Sequence, residues 1–273
     1  MIGLLVHELK ARWRSVLGWT LGLVALGVTY IAVYPGAGDV MADLADLEIY
    51  EALGISMTTF DGYIASVIVQ YVPVLLGIYA ILVGTRTLAG EEDEGTLELV
   101  LAQPIRRWQI VAVKTFSIAV AMALIVVLAG LGCAAIFQAY RSQIDTAVMP
   151  MQLFAAVLSG WPICMAFAMI SLFLSAFLPS RRLASMVAAV VFIASYFGET
   201  LTGMVSSLEA IEPFSLFYYF DSSPNVFTEG VRAGDVGILL GVAALFFLLA
   251  VLSFSRRNVT VGAWPWVRNA APR

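Results

Sequence analysis

Six runs of mostly apolar residues, each long enough to cross the ~30 Å hydrocarbon core of a bilayer as a helix, constrain this chain more than anything else in it. They are residues 16–34, 63–83, 115–137, 153–178, 183–204 and 236–254. The chain is 61% hydrophobic and 12% charged. Soluble domains average about 45–50% and about 25%, so the reading is one polytopic membrane domain and not a soluble core. A backbone in lipid must satisfy its own hydrogen bonds, and the alternating pattern of a barrel is absent, so the spans are expected to be helices and the fold all-α. Pro73 lies within the second span, and the fourth is long enough to tilt or to be kinked at Pro162. The first run is about a full span long and lacks a small-residue cleavage site, so it reads as a retained helix. Cys133 and Cys164 fall inside apolar segments and read as small buried hydrophobes.

Charge gives the orientation. With six spans, thirteen of the fifteen Lys and Arg fall on one side and only Arg141 and Arg232 on the other. Short basic loops face the cytoplasm, so both termini are expected inside, with the protein in the cell membrane. An odd number of spans would destroy this segregation. Residues 1–15 carry Ile2, Leu5, Val6 and Leu9 on one helical face and Lys10, Arg12 and Arg14 near the acyl boundary. They are expected as an interfacial helix along the inner leaflet. Plain basic flanking would explain the charges but not the apolar stripe. Residues 35–62 are acidic and read as a solvated short helix and turn. Residues 205–235 are too polar to span, yet hold Phe214, Phe217, Tyr218, Tyr219, Phe220 and Phe227. Aromatic rings favour the headgroup level, so one or two short outer re-entrant or interfacial helices are expected here, broken at Pro213 and Pro224. They would form either an aromatic belt anchoring the last span or a lid over a pathway.

The loop at 90–104 holds the densest charge in the chain. Glu91, Glu92, Asp93 and Glu94 stand between Gly90 and Gly95. Thr96 suits an N-cap, and Glu98 falls in the first turn, where the helix dipole favours an acid. Leu97, Val100 and Leu101 have helical spacing, and Pro104 stops the ladder. The expected product is a helix of about two turns on the inner surface. So short a helix is marginal alone in water, which implies burial of its apolar face against a partner or against the bundle. An amphipathic connector resting on lipid is the alternative, but acids beside an anionic leaflet argue against it.

This stretch, from Gly90 to Leu101 with Pro104, Arg107, Trp108 and Lys114 following, resembles the cytoplasmic loop of type-2 ABC transporter permeases. Phe254-Ser255-Arg256-Arg257-Asn258 and the segment from Ser215 to Gly230 resemble the family's last span and the stretch before it. The likeness extends over the whole chain; Asn258 stands where the family often has Asp. The resemblance implies that the loop is a coupling helix inserted into a cleft of a separate ATPase subunit. Glu91, Glu92, Glu94, Thr96, Leu97, Glu98, Val100, Leu101, Pro104 and Arg107 would then be its coupling residues. It implies two ATP-binding subunits, carrying ATP and Mg, and a second permease chain, expected as a homodimer.

The remaining residues narrow the chemistry. The chain holds no Gly-x-x-x-x-Gly-Lys-Ser/Thr loop and no His-Glu-x-x-His, and His7 is its single histidine. No ATP hydrolysis, metal or cofactor is therefore expected on this chain, and no basic run points to nucleic acid. An ionisable group within a span is a functional candidate. Glu199, near the outer end of the fifth span, either faces a central vestibule or reaches the headgroups; Gln70 is a second pathway candidate. Gly18 and Gly22 form a small-xxx-small pair of the kind that packs helices. The absence of a charged cluster within the spans suits an apolar or amphipathic cargo. A secondary transporter or channel working alone is the alternative; it would call for more intramembrane charge or for inverted repeats, which the two halves do not show.

Overall fold

The computed structural model describes residues 2–36, 59–97, 106–202 and 212–256. Six helical stretches among them are long and apolar enough to cross a membrane. The first helix, α1, is Ile2–Val33. The second, α2, is Phe60–Asp93. The third, α3, is Arg107–Tyr140. The fourth span has two parts, α4 Pro150–Leu158 and α5 Gly160–Phe177. Then come α6, Arg181–Thr202, and α7, Ala233–Arg256.

Three boundaries differ from the sequence reading. No break separates an interfacial helix from the first span, because α1 is one helix of 32 residues. At 1.5 Å per residue it is ~48 Å long, well beyond the ~30 Å core, so its charged first turns extend past the hydrocarbon. The face turned inward there is polar: Glu8 is buried while Val6 is exposed. The acidic run is not a loop between glycines but the last turn of α2. The kink in the fourth span falls at Ser159, not at Pro162. Pro162 has no N–H for the carbonyl four residues earlier, Leu158, and its ring crowds that carbonyl, so the helix breaks before the proline.

At the core is α5, which packs along α7, α2 and α6; α1 instead packs along α3. Small residues set how closely these helices approach. A Cβ on Gly27 would lie 2.4 Å from Cys133 Sγ, and one on Gly132 would lie 2.6 Å from Val24 Cγ2, so each helix of the α1–α3 pair offers a glycine to the other. Across α2 and α5, a Cβ on Gly84 would meet the Ala168 carbonyl at 2.8 Å. Gly18 and Gly22, by contrast, have nothing within 4 Å, so this small-xxx-small pair packs no helix among the described residues.

Two π-helical stretches, Ala65–Val69 and Arg86–Gly90, interrupt α2. A π turn releases backbone groups from the regular ladder. At the second stretch Ser175 of α5 serves them: its Oγ accepts from Ala89 N–H at 2.8 Å and donates to the Thr85 carbonyl at 2.9 Å. Ser185 of α6 is 2.9 Å from the Thr85 hydroxyl, to which it donates. Three helices thus meet at one irregular turn.

At the opposite end, residues 212–232 carry the 3₁₀ turns Phe217–Tyr219 and Pro224–Phe227, besides 3₁₀ residues at 212–214. Pro224 opens the second turn instead of breaking a helix, since proline suits a first helical position. Phe217 is buried against Phe167, Phe192 and Tyr196, and the Ser215 hydroxyl donates to the Ser195 carbonyl at 2.7 Å. Phe214 and Tyr218 point outward. The segment is therefore pinned into the bundle by one side and carries aromatic rings on the other.

The α1–α3 contact has a direct test. Gly27→Leu should cost about 1–3 kcal/mol by overpacking against Cys133, read as a lowered unfolding midpoint in detergent. Gly18→Ala, with open space around it, should leave the midpoint unchanged.

Candidate functional site

The acidic stretch closes α2 with a specific backbone device. Gly95 has φ +71°, a left-handed conformation that glycine adopts without a Cβ clash. Its N–H donates to the Glu92 carbonyl and the Thr96 N–H to the Glu91 carbonyl, both at 3.0 Å or less. This pair of bonds is the Schellman pattern, which satisfies carbonyls left free at a helix end. The Thr96 hydroxyl also donates to the Glu91 carbonyl, at 3.2 Å. Thr96 therefore serves the end of α2, and helical structure resumes directly after it at Leu97. Leu97 is 1% exposed and belongs to the core, so it anchors the chain instead of presenting an apolar face. Leu97, where the expected short helix begins, is helical, while Glu98, Val100, Leu101 and Pro104, with the rest of that helix, lie outside the described residues.

Behind this helix end sits a buried ion cluster. Lys114, in the second turn of α3, has no solvent exposure at all. Its Nζ donates to Glu8 Oε1 of α1 at 2.6 Å and to Glu91 Oε1 of α2. Arg12, one turn after Glu8, donates from Nη2 to Glu8 Oε2 at 3.1 Å and from Nε to Ser117 Oγ at 3.2 Å. Ser117 donates in turn to the Lys114 carbonyl at 2.8 Å. Two cations and two carboxylates from three helices pair with one another, with Glu91 Oε2 left buried and without a hydrogen bond among the described residues. A lone buried charge would be costly; here each has an opposite partner in hydrogen-bonding contact.

The sequence reading places Glu91 in the loop and Lys114 at the start of a span without pairing them, and it does not single out Glu8. A signal was available: Glu8 is the one acid in the first 36 residues, and it stands four residues before Arg12. Lys114 lies among Ile110, Val111, Val113 and Ile118, an apolar setting that called for a partner.

Lesser contacts complete this end. Arg86 and Glu94 form an exposed pair at 3.4 Å, of the kind that contributes little. Asp93 Oδ2 accepts from the Arg181 backbone N–H at 3.4 Å, linking the end of α2 to the start of α6. Arg107 donates to the Phe254 carbonyl at 3.3 Å and lies over that ring, joining the start of α3 to the end of α7. Such a cation suits the negative end of a helix dipole. Glu92 is buried, at 3% exposure. Of the expected coupling residues, Glu91, Glu92, Glu94, Thr96 and Leu97 are brought together, and Arg107 ties a different pair of helices. The two pathway candidates stand elsewhere: Gln70 follows the first π stretch, and Glu199 is half-buried in the last turn of α6.

The arrangement holds both ends of residues 98–105 to the body. One end is fixed by the Schellman turn, Leu97 and the ion cluster; the other begins α3, where the Gln109 side chain accepts from the Arg106 N–H at 3.0 Å. The family model described as ABC-2 family transporter protein matches residues 3–259. No curated protein matches the chain.

The cluster predicts an asymmetry. Lys114→Met, which leaves two buried carboxylates facing each other, should cost about 3–5 kcal/mol in detergent unfolding. Adding Glu8→Gln and Glu91→Gln should restore most of that loss. A Lys114→Met protein as stable as the parent would show that the three helices are not held here.

Proposed function

The chain belongs to the ABC-2 family of transporter proteins, and from that premise we propose that it is the membrane-spanning half of an exporter driven by a separate ATPase subunit. As a type-2 ABC transporter permease it is a multi-pass membrane transport component, not itself catalytic. Two copies of the ATP-binding subunit, carrying ATP and Mg, would work with two copies of this chain. Both termini would be cytoplasmic, in line with thirteen of the fifteen basic residues lying on one side.

One observation carries the mechanical part of this reading. The acidic helix end before residues 98–105 is joined through Lys114 to both α1 and α3. A force applied to that loop by an ATPase would therefore reach three helices through one buried cluster, without needing a flexible linker to transmit it. Discrete, well-packed contacts of this kind shift between arrangements as units. Within that scheme Glu94 and the residues 98–104 meet the ATPase, while Leu97, Glu91 and Lys114 hold the loop to the bundle. A cargo of apolar or amphipathic character fits the apolar interior of the spans.

The test is co-expression with the ATP-binding subunit. The two should co-purify, and Leu101→Asp should reduce ATP hydrolysis by the complex severalfold while leaving the unfolding midpoint of the permease unchanged. Leu97→Asp is the wrong probe, because that side chain is buried and its loss would unfold the site. Co-purification and turnover that ignore Leu101→Asp would count against the coupling role. Ion-gradient-driven transport by the purified chain alone would support a secondary transporter instead.

A further inference from the structure

A groove runs between α1 and α2 over the half of the bundle that holds the ion cluster. The two helices touch mainly at the other end, where Tyr63 donates to the Tyr30 carbonyl at 3.3 Å and α1 meets the first π stretch. Toward the charged end they separate, bridged by the Trp19–Tyr79 ring contact at 5.7 Å. Two adjoining cavities fill the gap, of about 530 Å³ and about 400 Å³, with Ser15 and Trp19 in the wall of both.

The groove changes character along its length. Its charged mouth is lined by Glu8, Arg12, Arg86, Glu91, Glu94 and Arg181. Its inner part is lined by Gly18, Gly22, Leu23 and Leu75. The missing side chains of the two glycines, with open space beside them, leave a lane along α1. On α1 the interval from Arg12 to Leu23 is 11 residues, and on α2 that from Leu75 to Arg86 is 11 as well. Each corresponds to ~16 Å of helix, close to half of the ~30 Å hydrocarbon core. The groove is one leaflet deep.

Donors in its wall, among them the Arg181 guanidinium and the Tyr79 hydroxyl, make no hydrogen bond among the described residues, and neither does the buried Glu91 Oε2. Each acid at the mouth faces a base: Glu8 and Glu91 meet Lys114 and Arg12, and Glu94 meets Arg86. The Arg181 guanidinium, half-buried with its stem over Gly90, makes no hydrogen bond or ion pair among the described residues. Deeper in, the Tyr79 hydroxyl is buried with no hydrogen-bond partner among them, in a residue only 3% exposed. A buried hydroxyl left unmet carries a desolvation cost that an acceptor would remove.

We propose that this groove is a binding site for an inner-leaflet phospholipid with an anionic headgroup. The headgroup phosphate sits at Arg181, and an acyl chain lies along the glycine lane past Trp19. Arginine is suited to a phosphate oxygen by its fork of donors, and tryptophan to the headgroup level. The Tyr79 hydroxyl supplies a donor to an ester oxygen just below. The site uses the sidedness argued above, but its occupancy does not depend on ATP hydrolysis, so either idea can fail without the other.

The test uses the full chain in nanodiscs of phosphatidylcholine containing phosphatidylglycerol. Both lipids carry a phosphate, but choline adds a cation that partly cancels its attraction to Arg181, so native mass spectrometry should show phosphatidylglycerol retained about tenfold more strongly than phosphatidylcholine, a difference of about 1.4 kcal/mol. Arg181→Gln should bring the two lipids to equal retention, and Gly22→Leu, filling the lane, should reduce both. In a variant keeping Trp19 as its single tryptophan, phosphatidylglycerol brominated on its chains should quench fluorescence saturably. If the single-tryptophan variant does not fold, the mass-spectrometric arm decides. Equal retention by the parent chain, or no change on Arg181→Gln, would overturn the site. Inorganic phosphate alone displacing the lipid at low millimolar concentration would show a free-anion site and overturn the lipid assignment. Disulfide capture of two Gly22→Cys copies, with no lipid retained, would give the groove to a second chain and equally overturn it.

Discussion

A lysine without solvent contact, held by carboxylates from two other helices, is the constraint on which the charged end of this protein depends. Lys114 cannot be moved out of the junction without leaving Glu8 and Glu91 facing one another in a buried place. Buried pairs of this kind seldom add net stability over apolar packing, but they strongly penalise any arrangement that separates the partners. What they contribute is definition: α1, α2 and α3 have a register in which each of the four charges meets an opposite one. Apolar helices packed in lipid have few other means of fixing such a register, because the lipid offers them nearly the same contacts as a neighbouring helix does.

The rest of the bundle meets the same difficulty by other means. Glycines at 27, 84 and 132 let backbones approach to distances that no Cβ would allow. Ser175 completes the hydrogen bonds of a π turn that α2 could not complete alone. This turn sits directly before the acidic helix end, so the irregular part of α2 and the part that faces the loop are continuous. The far end is fastened differently, by aromatic packing around Phe217 and a pair of serine hydroxyls. Polar contacts thus concentrate toward the loop, where a partner ATPase would act, and aromatic contacts dominate opposite.

Family membership and geometry bear on different questions. The family match extends over residues 3–259 and assigns the transport class. The structure adds which side chains connect the loop to the body, and it separates them from those available to a partner. Leu97 and Glu92, both expected as coupling residues, are buried within this chain, and for Leu97 this is the packing against the bundle that the sequence left open beside packing against a partner. The groove beside them arises because α1 leans on α3 and leaves α2 at its charged end.

The six spans, the segregation of basic residues and the buried cysteines were all legible in the sequence. Each follows from a local rule: hydrocarbon demands about 20 apolar residues of self-satisfied backbone, whatever lies beside them. The loop motif around Gly90–Thr96 was legible for the same reason, since a run of acids at the end of an apolar helix stands out in one dimension. Its form was only partly legible, because the bonds from Gly95 and Thr96 back to Glu92 and Glu91 close the preceding helix, and such a helix end depends on backbone geometry that a run of acids does not specify. Glu8 and Lys114 are 106 residues apart, and nothing in either neighbourhood names the other. Their meeting depends on the close approach of α1 to α3, which Gly27 and Gly132 permit, and such a distance between helices exists only once the chain is packed.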